Sequence, residues 1–238
     1  MNFLSTEWRK LILVNYEVPK EVLEPYLPQH TELDSWQNKY FLSLVGFMFK
    51  NTKLLGIPIP FHRNFEEVNL RFYVKHYDGK EWKRGVVFVK EIVPKHALSF
   101  VANSLYKEHY QTLPMRHEWA SENDKQNIAY MWRLANQWQS MRISATIKPE
   151  NLQPASHEEF IAEHYWGYTK VTPHTTYEYE VVHPKWQVYP TEEVNIQVNF
   201  ASVYGKDFGF LNNATPYSSL LAEGSEIYVK AKTKIASK

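Results

Sequence analysis

Apolar and polar residues alternate most clearly over residues 67–77. Val68, Leu70, Phe72 and Val74 fall on one face there, and Asn69, Arg71, Tyr73 and Lys75 on the other. Successive side chains of a strand point to opposite faces, so the run reads as a strand with one aliphatic and one polar face. Asp78-Gly79 follows, then a second β-patterned run over residues 85–93. Asp-Gly between two such runs is the strongest short-range signal for a hairpin.

Other stretches extend the pattern. Residues 8–18 and 39–49 read as strands, the second of them buried throughout. Between them Pro19 opens a short amphipathic helix carrying Val22, Leu23, Tyr26 and Leu27, which Pro28 ends. A Gly-Ile-Pro-Ile-Pro-Phe loop at residues 56–61 is placed to close one end of a cavity. Pro94 breaks the 85–93 strand, and residues 95–110 carry Leu98, Val101, Ala102 and Leu105 at helical spacing. Residues 115–120, 128–138, 139–147, 166–171 and 175–182 read as further strands. Within 151–165, Ser156 stands three residues before Glu159, the spacing of a capping box at a helix start. Val194, Ile196, Val198 and Phe200 alternate as in a strand, with a short helix the other option, and residues 226–235 close the chain as a strand. Eight to ten strands on short turns, with two or three helices, suit an α+β fold: one domain over residues 1–238, built on a closed or partly closed antiparallel β-barrel with a central cavity.

Composition narrows the chemistry. The chain has 238 residues, no cysteine, 27 basic and 26 acidic residues and a formal charge of +1. Disulfides, thiol nucleophiles and thiolate metal sites are excluded, and a reducing, cytoplasmic setting is expected. Charge is spread evenly, so neither a nucleic-acid nor a membrane partner is expected. The apolar run from Leu11 to Val14 is too short for a signal sequence or a membrane span. Glycine occurs eight times, below the usual ~7 %, and no phosphate-cradling glycine motif is present. Aromatics make up 16 % of the chain, which fits a lined cavity and equally a β-rich core.

His157 and His164 lie seven residues apart, too far for one metal ion to take both from one helix, so they are expected at the surface and no metal or cofactor is expected. Ser225 lacks the flanking glycines of a nucleophile elbow. Two constellations carry possible chemistry. One is the junction of Lys90, Glu91, Pro94, Lys95 and His96, where a desolvated lysine would be able to attack a carbonyl; solvated lysines look the same in a sequence. The other is the polar face of Glu67, Asn69, Arg71 and Tyr73. Inside a barrel, Arg71 would anchor a carboxylate or phosphate; on an outer strand the face would simply meet solvent.

The run Phe65-Glu66-Glu67-Val68-Asn69-Leu70-Arg71-Phe72-Tyr73-Val74, followed by Gly85-Val86-Val87-Phe88-Val89, resembles the signature of the YqjF-like family of uncharacterised proteins. Trp8, the 25–28 region, Tyr204-Gly205 and Ala222-Glu223-Gly224-Ser225 extend the resemblance over nearly the whole chain. It implies an acetoacetate decarboxylase-like fold, a β-barrel with a central cavity and flanking helices. Relatives of known chemistry carry a Schiff-base lysine after a proline and before a second lysine that lowers its pKa. Pro94-Lys95 is similar, but His96 stands at the second position, and a histidine perturbs its neighbour less than a permanent ammonium.

Two functions follow as expectations. The first is a small-molecule-binding cavity, with Arg71, Tyr73, Asn69 and His96 contacting the ligand. The second is a Schiff-base enzyme acting on a small keto acid, with Lys95 as nucleophile and Glu67 as the carboxylate that orients substrate or moves a proton. A homo-oligomer is compatible with either.

Overall fold

The computed structural model describes residues 2–95 and 109–235. Eleven strands of seven residues or more carry the architecture: β1 (Asn2–Val18), β2 (Tyr40–Leu54), β3 (Phe65–Tyr77), β4 (Trp82–Val93), β5 (Met115–Glu122), β6 (Lys125–Leu134), β7 (Gln137–Thr146), β8 (Trp166–Thr172), β9 (Thr175–Val182), β10 (Thr191–Gln197) and β11 (Ser218–Lys230). Seven of them close on themselves in the order β11-β1-β2-β3-β4-β8-β9 and back to β11. All joins in this ring are antiparallel except β4–β8, which is parallel. Closure removes free edges from the seven strands, a route to a β-structure without an aggregation-prone rim. The remaining strands form a four-stranded sheet, β10-β7-β6-β5.

Strand alternation sorts side chains into two cores. Leu13, Val45, Phe47, Phe65, Val86, Val181 and Leu220 point into the ring. Ile12, Val14, Leu44, Val68, Leu70, Phe72 and Val87 point outward and pack with Ile128, Tyr130, Trp132, Met141 and Ile143 of the second sheet. β3 is therefore buried on both faces, its aliphatic side between the sheets and its polar side inside the ring.

Three α-helices flank this framework among the described residues: α1 (Lys20–Leu23), α2 (His157–Ala162) and α3 (Phe200–Tyr204). In α2 the Ser156 hydroxyl accepts from Glu159 N at 3.1 Å, which is the N-cap bond, while the Glu159 carboxylate reaches back past the N-cap to accept from Ala155 N at 2.7 Å. None of the described helices is long and apolar enough to cross a membrane. The helix expected over 95–110 falls largely outside the described residues. Its far end, Tyr110, instead opens a short strand, Tyr110–Thr112, parallel to the end of β4.

The structure moves several expected boundaries. β1 begins six residues before Trp8, because Leu4, Ser5 and Thr6 still pair with β11. The turn between β6 and β7 falls at Ala135-Asn136, with Ala135 in the left-handed region at φ 51°, so Gln137 and Trp138 belong to the second strand. Phe200 starts α3 rather than ending β10, since the Asn199 side chain caps Ser202 N at 3.0 Å. The final strand starts earlier than residue 226 and breaks after Lys230.

Ring and second sheet are tied together at a bulge in β1. Lys10 adopts φ 53°, its ammonium pairs with Glu223 at 2.6 Å and donates to Gln126 of β6 at 3.0 Å, and Tyr130 donates to its carbonyl at 2.9 Å. Gly224, beside this bulge, has φ +81°, and a Cβ there would sit 1.9 Å from the carbonyl oxygen of Trp8. Gly56 has a similar φ of +84° but open space around it. Gly56→Ala is expected to cost about 1 kcal/mol from backbone strain alone, and Gly224→Ala about 3 kcal/mol or more, because the crowding partner is backbone. Urea unfolding of the two variants measures the difference; equal losses would mean that crowding at Gly224 is relieved by local shifts.

Candidate functional site

The interior of the ring is not filled. A cavity of about 260 Å³ lies within it. Its walls are largely aromatic, with Trp8, Phe47, Phe49, Phe65, Phe88 and Trp186 among them. Phe49 stacks on Phe65 at 4.5 Å, and Trp8 packs on Phe47 at 4.9 Å. Trp186 is held by a hydrogen bond from its Nε1 to the hydroxyl of Ser225 at 2.9 Å, which gives that serine a structural use. The loop at residues 56–61 contributes Ile59 to the lining, while Phe61 is 90 % exposed.

Polar groups enter from two strands. β3 supplies Glu67, Asn69 and Arg71 at alternate positions, 3 %, 1 % and 7 % exposed. β4 supplies Glu91, and a bulge makes that possible. Register shifts between Leu70↔Lys90 and Arg71↔Phe88, so one extra residue, Val89, interrupts the alternation. Phe88 faces the cavity, Val89 and Lys90 both turn outward, and Glu91 and Val93 face inward again. The Lys90 ammonium donates to the Val203 carbonyl on the outer side, and burial lowers its pKa.

The other expected site residues are distributed unevenly. Tyr73 lies beyond the cavity lining, buried, with its hydroxyl 2.7 Å from that of Ser43. Lys95 follows Val93 by two residues and is not among the lining residues. His96 lies outside the described residues. Glu66, next to Glu67, points away from the cavity and meets His117 Nδ1 at 2.7 Å. Glu67 accepts from Asn69 Nδ2 at 2.9 Å and from the Tyr110 hydroxyl at 3.3 Å.

The structure adds two histidines to the cavity, one that the pattern of the chain placed at the surface and one that it did not single out. His164 and His183 line the cavity, where burial lowers the pKa of both and the charge of Arg71 adds a smaller push in the same direction. Contrary to expectation His157 and His164 are buried, because α2 packs its inner face into the ring and ends at Ala162, and the chain then turns His164 inward. His157 sits against Phe41, Trp36 and Tyr217, away from the cavity. No group of three or more His, Asp or Glu among the described residues is arranged to hold a metal ion.

Asp34 supports His164. Its backbone N–H donates to the Tyr73 carbonyl at 3.0 Å, and its Oδ2 accepts from Arg84 Nε at 2.6 Å and His164 Nε2 at 3.2 Å. Burial opposes ionisation of Asp34, but the bonds from His164 and Arg84 prevail and hold its carboxyl down at about 2. His183 stacks on Trp186 at 4.2 Å and donates from Nδ1 to the Pro184 carbonyl at 2.9 Å.

Four buried polar atoms of cavity-lining residues have no partner among the described residues: Trp8 Nε1, Asn69 Oδ1, Arg71 Nε and His164 Nδ1. Nor does Arg71 form an ion pair among the described residues. A buried group left unsatisfied costs about 1–3 kcal/mol, more when charged, so such atoms are sparse in folded proteins and their gathering at one place marks a site.

Burial lowers His164 to about 4, partly opposed by its bond to Asp34, and lowers His183 to about 4, partly opposed by its bond to Pro184. In the unfolded chain these rings take up protons near pH 6.5, well above their folded values. Between the two values the unfolded state binds more protons, so stability is complete above pH 6.5 and falls as the pH drops towards 4. Asp34 acts lower, losing its contribution between about pH 4 and 2. Thermal melts from pH 7.5 to 4.5 are expected to show a falling midpoint, with a shallower fall in His183→Phe, which keeps the stacked ring. An unchanged slope in that variant would contradict the assignment.

The uncharacterized protein YqjF of Bacillus subtilis (strain 168) is 26 % identical over 198 residues, covering 81 % of this chain and 77 % of that protein. Among solved structures, the enduracididine biosynthesis enzyme MppR complexed with pyruvate matches with a TM-score of 0.70 at 11 % identity, over 99 % of this chain and 91 % of that one. An acetoacetate decarboxylase from Legionella pneumophila matches at 0.65 and 10 % identity, over 99 % and 90 %. An acetoacetate decarboxylase-like enzyme from Sphingomonas wittichii RW1 matches at 0.67 and 9 % identity, over 100 % and 95 %. These likenesses establish an acetoacetate decarboxylase-like fold. Residues 5–226 match the DUF2071 family, described as an uncharacterized conserved protein, and the chain belongs to that family.

Proposed function

We propose that the ring is a binding cavity for a small organic acid, with Arg71 gripping the carboxylate and the aromatic walls enclosing an apolar body. The observation that carries this reading is the buried guanidinium of Arg71, without an acidic partner among the described residues and with Nε unbonded, on the wall of an apolar cavity. A buried cation without a counter-charge is costly, and an anionic ligand removes that cost by a charge-assisted hydrogen bond. The cavity volume, about 260 Å³, is of the order that encloses a compact ligand. A chain without cysteine fits a reducing compartment, which supports a cytoplasmic site of action.

A second reading is an imine-forming enzyme with Lys95 as nucleophile and Glu67 as its carboxylate. It is favoured by the shared fold with acetoacetate decarboxylases, by the solved complex of MppR with the condensation product of pyruvate and imidazole 4-carboxaldehyde, and by the two-residue separation of Lys95 from the cavity-lining Val93. Borohydride reduction with small keto acids, followed by intact-mass measurement, separates the readings. A stoichiometric adduct absent from Lys95→Ala supports the second; its absence leaves the binding role.

For the first reading, calorimetric titration with hydrocinnamate and with hydrocinnamyl alcohol compares an acid and a neutral group on the same body. The acid is expected to bind, the alcohol more weakly, and Arg71→Gln to lose about tenfold or more in affinity for the acid alone. Equal binding of acid and alcohol, or acid binding indifferent to Arg71→Gln, would overturn the assignment.

A further inference from the structure

We propose that the acid taken up at Arg71 is an α-hydroxy acid, whose hydroxyl donates to Nδ1 of His164. The inference rests on the reading of Arg71 as the carboxylate anchor and names the class of acid.

The tautomer of His164 follows from its partner. An ionised carboxylate only accepts, so the Nε2 that meets Asp34 Oδ2 at 3.2 Å carries the hydrogen. In the neutral ring Nδ1 is then a bare acceptor, and burial keeps the ring neutral at physiological pH. The side chain is 1 % exposed, and Nδ1 has no partner among the described residues. Asp34 is itself fixed, by Arg84 at its carboxylate and by the backbone of Tyr73, so the ring is held in this orientation.

Arg71 and His164 flank the same aromatic ring. The Tyr73 ring lies 4.7 Å from that of His164 and 5.9 Å from Arg71 Cζ, and both side chains line the cavity. Two lining residues that flank one ring thus carry an unsatisfied donor, Arg71 Nε, and an unsatisfied acceptor, His164 Nδ1. A simple carboxylate answers the donor and presents only lone pairs to the acceptor. An acid with a hydroxyl on the adjacent carbon answers both. An α-ammonium group also donates, but it would bring a cation beside Arg71 and Arg84, while the charge of Asp34 is already shared between Arg84 and His164. A neutral hydroxyl adds no charge, and specificity of this kind comes from leaving polar groups unpaired with the wrong ligand.

Calorimetry on the full chain with phenyllactate, hydrocinnamate and phenylalanine tests this, because the first two differ only in the hydroxyl. One enantiomer of phenyllactate is expected to bind about tenfold or more tightly than hydrocinnamate, and more tightly than phenylalanine. In His164→Phe that advantage should vanish while hydrocinnamate affinity stays within about threefold. Nitrogen-15 NMR of the unmodified protein provides a check that needs no variant: the His164 Nδ1 resonance should move towards the hydrogen-bonded position with phenyllactate and not with hydrocinnamate. Equal affinity for the two acids with dependence on Arg71 retained would overturn the hydroxy-acid assignment and leave the carboxylate anchor standing. Binding of neither, or binding indifferent to Arg71, would remove both.

Discussion

Ring closure leaves β3 without a solvent face. Its aliphatic side is pressed between two sheets, and its polar side, Glu67, Asn69 and Arg71, is sealed inside the ring. Ionisable groups in such a place are cut off from bulk solvent, so they depend on protein partners, enclosed water or a ligand. Glu67 has Asn69 and Tyr110; Arg71 has the ring of Tyr73 and no acid among the described residues. The aromatic walls, the Asp34–His164 pair and the bulge that brings Glu91 inward are arranged round that imbalance.

Much of this framework was legible in the chain itself. The β3–β4 hairpin follows from strict alternation and Asp78-Gly79, and the start of α2 from Ser156 and Glu159. The polar face of β3 was visible too, but its direction was not, because a strand facing solvent and a strand facing a wet lumen share one pattern. Only closure through β9 and β11, a pairing between residues some fifty positions apart, makes that face interior. The bulge at Val89 was invisible for a related reason: its cause lies in pairing with β3, and nothing in Gly85–Val93 marks it.

The histidine site was beyond reach of local pattern. Asp34 and His164 are 130 residues apart and meet because the short strand Glu32–Leu33 pairs with β3 while α2 ends against the same strand's inner face. Seven-residue spacing spoke to metal ligation, and there it pointed towards surface histidines. What it did not contain was the stop of α2 at Ala162, which turns His164 inward. Relatives of the same fold include decarboxylases, yet fold alone does not carry chemistry. In this chain Arg71, His164 and His183 line the cavity, and Lys95 follows the lining Val93 by two residues.

The account depends most on Arg71 as the group that meets the ligand's charge. The direct measurement is the proton–nitrogen NMR signal of its side-chain Nε–H, assigned by its loss in Arg71→Gln and followed while hydrocinnamate is added. The account predicts a saturable shift with the acid and none with hydrocinnamyl alcohol at equal concentration. A signal that stays in place while acid saturates the protein would contradict it.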